Sequence, residues 1–195
     1  MAAFLLFVSD FFQFVVLSCF ILLIFYALTS IFFCVTMKKI KEITRYENML
    51  KGIPKILSPE LLKVLCEMGH SDRIVIADGN FPAESMGKDC IVIRMDGHGI
   101  PEVLDAILTV MPLDAYVEKP ATLMQLMDCD VGKIATPIWD TYAEVITKHD
   151  ARGKDALGNI DRFDFYDEAK KCYCIVATGE GAVYANIMLQ KGVIK

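Results

Sequence analysis

Two short constellations in this sequence carry groups able to move protons or hold a polyol. His70 follows Gly69 where an apolar helical stripe stops, with Asp72 two residues on and Asp78 closing the apolar run 73–77. The negative end of a helix dipole favours imidazolium, so a histidine placed there can exchange a proton near neutral pH. Asp78 falls at the carboxyl end of an expected strand, where α/β folds hold ligands. A His-x-Asp at a helix end also reads as an ordinary cap, and the residues alone leave both readings open. Tyr184 and Asn186 stand two apart beside a final strand, so both side chains can point to one face. A hydroxyl and an amide there suit a polyol; a packed Tyr and a turn-capping Asn are the plainer alternative.

Other chemistries lack their residues. The seven cysteines, Cys19, Cys34, Cys66, Cys90, Cys129, Cys172 and Cys174, are odd in number and irregular in spacing, with no Cys-x-x-Cys. Neither a disulfide framework nor a zinc site is expected, and buried thiols in a reducing compartment are. Gly179-Glu180-Gly181 lacks the register and the following Lys-Ser/Thr of a phosphate loop. No zincin, kinase or Ser/His/Asp arrangement is present, so no metal and no cofactor are expected. His98 and His149, in a turn and at a helix end, are expected in solvent. With 20 basic residues against 25 acidic and no basic run in the folded part, nucleic acid is not an expected partner.

The elements that must position these groups follow from periodicity. Ser58-Pro59-Glu60 starts a helix with a cap, a proline at the first position and an acid in the first turn. Arg73–Ala77 and Ile91–Arg94 read as strands, each closed by a turn. Pro101 opens a helix carrying Val103, Leu104, Ile107 and Leu108 on one face. Ala115–Glu118 and Leu123–Met127 are short strand candidates, and Thr136-Pro137 opens a helix running to about His149. Ala151–Asn159 reads as a polar loop, Phe165–Lys171 as a short helix, and Tyr173–Thr178 and Asn186–Leu189 as strands. The alternation predicts an α/β fold, three layers deep, with a mixed sheet and helices on both faces.

The first 37 residues are different in kind. They hold nine of the twelve Phe and a single charge, Asp10, whereas the remaining 158 residues carry 44 of the 45 charges. From Phe11 to Met37 the 27 residues are uncharged, more than the roughly 20 needed to cross a bilayer as a helix. A cleaved signal peptide would want a basic start, which is missing. A translation start at Met37 or Met49 would remove the run altogether. If it spans, Lys38, Lys39, Lys41 and Arg45 behind it place the N-terminus outside and the domain in the cytosol. The expected organisation is therefore a hydrophobic segment over 1–48, containing a candidate transmembrane helix 11–37 and a basic spacer, then one domain over 49–195.

Four segments, taken together and in order, carry a resemblance. They are LKGIPKILSPELLKVLCEMGHSDRIVIADGNFP (Leu50–Pro82), IRMDG (Ile93–Gly97), RFDFYDEAKK (Arg162–Lys171) and IVATGEGAVYANIMLQKGV (Ile175–Val193). The chain resembles the family that joins the fucose mutarotases and the bacterial ribose pyranases, over essentially all of residues 49–195, and most closely its fucose branch. The resemblance implies an isomerase that interconverts sugar anomers without a cofactor. It implies that His70 is the proton donor and Asp114 a second catalytic position. It further implies that Asp78, Met124, Tyr166, Tyr184 and Asn186 line the sugar, with Arg162 beside them. Asn80-Phe81-Pro82 and Tyr166 are fucose-like; Ala185, in place of a glycine, is ribose-like, and Met95 replaces a smaller residue. Members of the family form dimers and larger rings with sites close to subunit contacts, so a homo-oligomer is implied. A ribose-acting enzyme and a non-catalytic, membrane-tethered sugar-binding module are the competing functions.

Overall fold

Local chemistry sets the first turn of the fold in the way the sequence suggests. In the computed structural model, which describes residues 50–194, helix α1 spans Pro59–Glu67, and the Ser58 side chain accepts the Leu61 N–H at 3.2 Å. Strand β1 follows at Arg73–Ala77, one turn of helix α2 at Ala83–Met86, β2 at Ile91–Met95 and α3 at Ile100–Val110. Then come β3 (Ala121–Met124), α4 (Pro137–His149), a 3₁₀ turn (Gly153–Ala156) and β4 (Leu157–Ile160). Helix α5 (Arg162–Ala169), β5 (Cys174–Thr178) and β6 (Ile187–Gln190) complete the elements of the described residues.

The six strands make one sheet in the order β2-β5-β1-β6-β3-β4. β2, β5 and β1 are parallel, as are β3 and β4, while β6 runs antiparallel to both β1 and β3. Only β6 opposes the rest. One edge of the sheet therefore collects the carboxyl ends of five strands and the amino end of β6, and the other edge the reverse.

The mixed sheet and its helices agree with the expected class. Side chains from α1, α3 and α4, including Leu61, Leu104 and Tyr142, pack on Ile74, Ile76, Val176 and Ile187. On the opposite face Ala83 of α2 and Phe165 and Ala169 of α5 cover Val75, Ile175 and Met188. Both faces of β1 and β5 are covered, which is why these strands read as unbroken apolar runs.

Several expectations need correction. Ala115–Glu118 forms bends, because the Asp114 carboxylate accepts the Tyr116 N–H at 2.9 Å and turns the chain before it can pair. The expected strand at 123–127 is Ala121–Met124; past it, the Gln125 N–H reaches the Ile160 carbonyl. Ala151–Asn159, expected as loop, holds the 3₁₀ turn and most of β4, which exists through its pairing with β3. Helix α5 starts at Arg162 instead of Phe165, since the Asp161 side chain caps the Phe163 N–H at 2.8 Å. His149, expected in solvent, is partly buried against Asp105, 2.9 Å away, whereas His98 stays in solvent as expected, beside Glu102 at 3.1 Å.

The expected hydrophobic helix at 11–37 lies outside the described residues. Among the described residues, no helix is long and apolar enough to cross a membrane.

Candidate active site

The carboxyl ends of β1 and β3, the start of α5 and the entry to β6 meet around a cavity of about 320 Å³. Asp78, first residue after β1, and Asn186, last before β6, face each other there and are 5% and 4% exposed. Their pairing is reciprocal. The Asp78 N–H donates to Asn186 Oδ1 at 2.9 Å, and Asn186 Nδ2 donates to Asp78 Oδ2 at 2.8 Å. Asp78 Oδ1 accepts the Asn80 N–H at 2.9 Å. Burial pushes the Asp78 carboxyl above the ordinary carboxylate range, although the donors from Asn80, Ala185, Asn186 and Phe81 pull the other way.

Tyr184 is the second polar wall. It adopts φ +57°, left-handed and uncommon for a non-glycine residue, and the structure around it holds it there. Its carbonyl accepts the indole N–H of Trp139 at 2.8 Å, while Tyr142, fully buried, donates its hydroxyl to the next carbonyl, Ala185, at 2.7 Å. Helix α4 thus clamps the turn that delivers Tyr184 and Asn186. The two residues precede β6 and are brought to one side by this turn, not by strand alternation.

The remaining wall is aromatic and basic. Phe81 and Tyr166 lie 5.5 Å apart between ring centres, and Met124 and Ile134 add apolar surface. Arg162, on the first turn of α5, places Nη2 3.4 Å from the Tyr166 hydroxyl and Nη1 3.4 Å from the Met127 sulfur. Its Nε is buried without a hydrogen-bond partner.

His70 and Asp114 lie elsewhere. His70 Nε2 is 3.1 Å from Asp114 Oδ2, and the His70 ring meets Tyr116 edge-on at 5.5 Å. Asp114, 1% exposed, takes hydrogen bonds from the Tyr116 N–H and from Gln190 Nε2 at 2.9 Å each. Burial alone would raise its carboxyl; the donors from Tyr116, Gln190 and His70 outweigh burial and hold it below the usual range. Asp72 does not join this pair: it caps the Gly69 N–H at 2.7 Å. The pair sits before β1 and beside the end of β6, so the five residues of β1 separate it from Asp78. At about 3.3 Å per residue that is roughly 17 Å. The structure brings together Asp78, Met124, Arg162, Tyr166, Tyr184 and Asn186 at one edge of the sheet, and His70 with Asp114 at the other.

Sequence reasoning missed Asp130 and Ile134 as parts of the pocket, Trp139 as the clamp on the Tyr184 carbonyl, and Gln190 and Tyr116 as partners of Asp114. Asp130 and Ile134 come from residues 125–136, where the chain between β3 and α4 has no periodicity to read. Among the described residues no group of three or more His, Cys, Asp or Glu stands close enough to hold a metal ion.

A mixed sheet with a small, half-apolar pocket at its carboxyl edge and a His–Asp pair at the other defines an α/β protein of the kind that holds small ligands at a sheet edge. The family model described as the RbsD / FucU transport protein family matches residues 51–194, and the chain belongs to that family. The mouse fucose mutarotase is 50% identical over 148 residues, covering 74% of this chain and 95% of that protein. The crystal structure of FucU from Bifidobacterium longum is 66% identical with a TM-score of 0.73, covering 74% of this chain and all of that one. The fucose mutarotase of Streptococcus pneumoniae, solved in complex with L-fucose, is 47% identical with a TM-score of 0.68, covering 75% of this chain and all of that one.

Proposed function

We propose that this protein is an isomerase that interconverts the α and β anomers of L-fucose. The observation that carries the reading is the reciprocal Asp78–Asn186 pair facing a cavity whose opposite wall is Phe81, Tyr166, Met124 and Ile134. Such a pocket offers hydrogen bonds to one side of a sugar ring and apolar surface to the other, which suits a sugar bearing a methyl group. The identity to proteins named fucose mutarotase supports the same sugar.

Mutarotation opens a cyclic hemiacetal, turns the aldehyde face and closes the ring. Opening takes a proton from the anomeric hydroxyl and delivers one to the ring oxygen; closing reverses both. No C–H bond breaks. A histidine with an ionised carboxylate behind it can supply such proton traffic, worth typically 10²–10⁴-fold. His70 backed by Asp114 takes that role, and Asp78, Arg162, Tyr166, Tyr184, Asn186 and Met124 hold the sugar.

Because roughly 17 Å of β1 separates the two groups, the His70–Asp114 pair of one copy serves the pocket of a neighbouring copy. Exposed apolar residues accompany each end: Tyr116 and Ile194 are 70% and 76% exposed on the histidine side, Phe163 and Val131 63% and 61% near the pocket. Two different surfaces meeting head to tail close into a ring when the rotation between copies closes.

Residues 49–195 act as the catalytic domain, and the charge-free run 11–37 anchors it to a membrane with the sugar site in the cytosol. Carbonate extraction of the full-length chain checks the anchor; release into the soluble fraction removes it. Saturation-transfer NMR with L-fucose and D-ribose side by side tests the activity. Enhanced anomer exchange is expected for L-fucose; enhancement for ribose alone overturns the substrate, and for neither leaves a binding module.

A further inference from the structure

Asp130 is a carboxylate of the pocket wall to which neither motif nor resemblance gives a role. It lies in the segment between β3 and α4, half-buried, and accepts the phenolic hydrogen of Tyr184. A phenol has one hydrogen to give and lone pairs to receive with. With that hydrogen committed to Asp130, the phenolic oxygen can only accept, from the Met127 N–H and Arg162 beside it and from a donor in the cavity.

We propose that Asp130 is a positioning residue that fixes Tyr184 as a hydrogen-bond acceptor, so that Tyr184 selects a sugar hydroxyl that donates to it. The proposal rests on reading this cavity as the sugar site. It gives the pocket a directional pattern. Asn186 gives one of its two amide hydrogens to Asp78, so Asp78 and the Tyr184 hydroxyl receive hydrogen bonds. Arg162 is the cationic donor of this wall, beside the second amide hydrogen of Asn186. A hydroxyl group can both give and receive, and a neutral polyol satisfies such a wall from all sides. An anionic sugar fits it worse, because two carboxylates, Asp78 and Asp130, stand against one guanidinium.

The experiment uses the full-length chain and compares Asp130→Ala, Asp130→Asn, Tyr184→Phe and the Asp130→Ala/Tyr184→Phe pair. Anomer exchange of L-fucose is followed by saturation-transfer NMR, and melting temperature is recorded for each. Asp130→Ala is expected to lower kcat/KM about tenfold, the scale of one hydrogen bond, mostly through KM and with the melting temperature held. Asn keeps an oxygen that can take the phenolic hydrogen, so Asp130→Asn recovers part of the loss. The double variant should be no worse than Tyr184→Phe, since Asp130 acts through Tyr184. Wild-type rates in Asp130→Ala, additive losses in the double variant, or equal losses for Asn and Ala overturn the proposal while leaving the sugar reading intact. Absence of exchange in the wild-type protein itself sinks the sugar reading, and the proposal with it.

Discussion

Asp114 is buried almost completely yet held ionised, and that sets what its neighbour can do. Its donors, the Tyr116 N–H, Gln190 and His70, keep the carboxyl below the usual carboxylate range despite burial. A carboxylate fixed 3.1 Å from His70 Nε2 orients the imidazole and stabilises it when it carries a proton. Asp114→Asn should therefore slow L-fucose exchange on the order of a hundredfold, read by saturation-transfer NMR. The same residue has a stability signature. A carboxyl depressed in the folded state contributes stability above its unfolded pKa, about 4, and loses it as pH falls through the lower folded value. The gap in denaturant midpoint between wild type and Asp114→Asn should be wide at pH 7 and shrink near pH 3. A gap independent of pH would show that the charge is not what the site values.

The elements that carry the two groups of residues differ in how openly the sequence announces them. β1 and β5 are buried on both faces, so their residues form apolar runs, and the place of Asp78 at the carboxyl end of one could be read directly. β4 is the contrary case: Leu157–Ile160 contains Gly158 and Asn159, poor strand formers, and is held by its parallel pairing to β3. Tyr184 and Asn186 were legible as a pair, but for a reason that does not hold, since a clamped turn and not strand alternation aligns them. Asp130 and Trp139 were illegible because their roles depend on contacts 54 and 45 residues away in sequence. The end of β6 supplies a further test. Gly192 runs so close to Leu113 that a Cβ on it would lie 2.4 Å from the Leu113 carbonyl oxygen, next to Asp114. Gly192→Ala must push that segment aside, at a cost of roughly 1–3 kcal/mol. A lower melting temperature together with slower exchange is expected; an unchanged protein would mean that the Asp114 segment is freer than its contacts with β6 imply.

At the scale of the whole molecule, complementation distinguishes a shared site from a self-contained one. His70→Ala spoils the proton-transfer side and keeps the pocket; Asn186→Ala does the opposite. Each variant alone should be nearly inactive. If copies meet head to tail, random co-assembly restores about one quarter of the sites, because each intact site needs one particular partner on each side. Refolding or co-expressing the two variants and measuring L-fucose exchange gives the answer. Recovery near zero, with light scattering confirming mixed oligomers, would mean that each chain serves its own pocket. Light scattering on residues 49–195 settles the prior question, since a fully active monomer is incompatible with the arrangement.

The length of one buried strand also has a consequence for how the protein behaves when scarce. β1 keeps the His70–Asp114 pair and the pocket at opposite edges of the sheet in every chain, so in the proposed arrangement a chain alone holds a pocket without its proton donor. Turnover per chain should then fall as the solution is diluted below the assembly constant, and the rate should climb with the square of protein concentration if two copies suffice. A metabolic enzyme built this way is switched on by its own abundance.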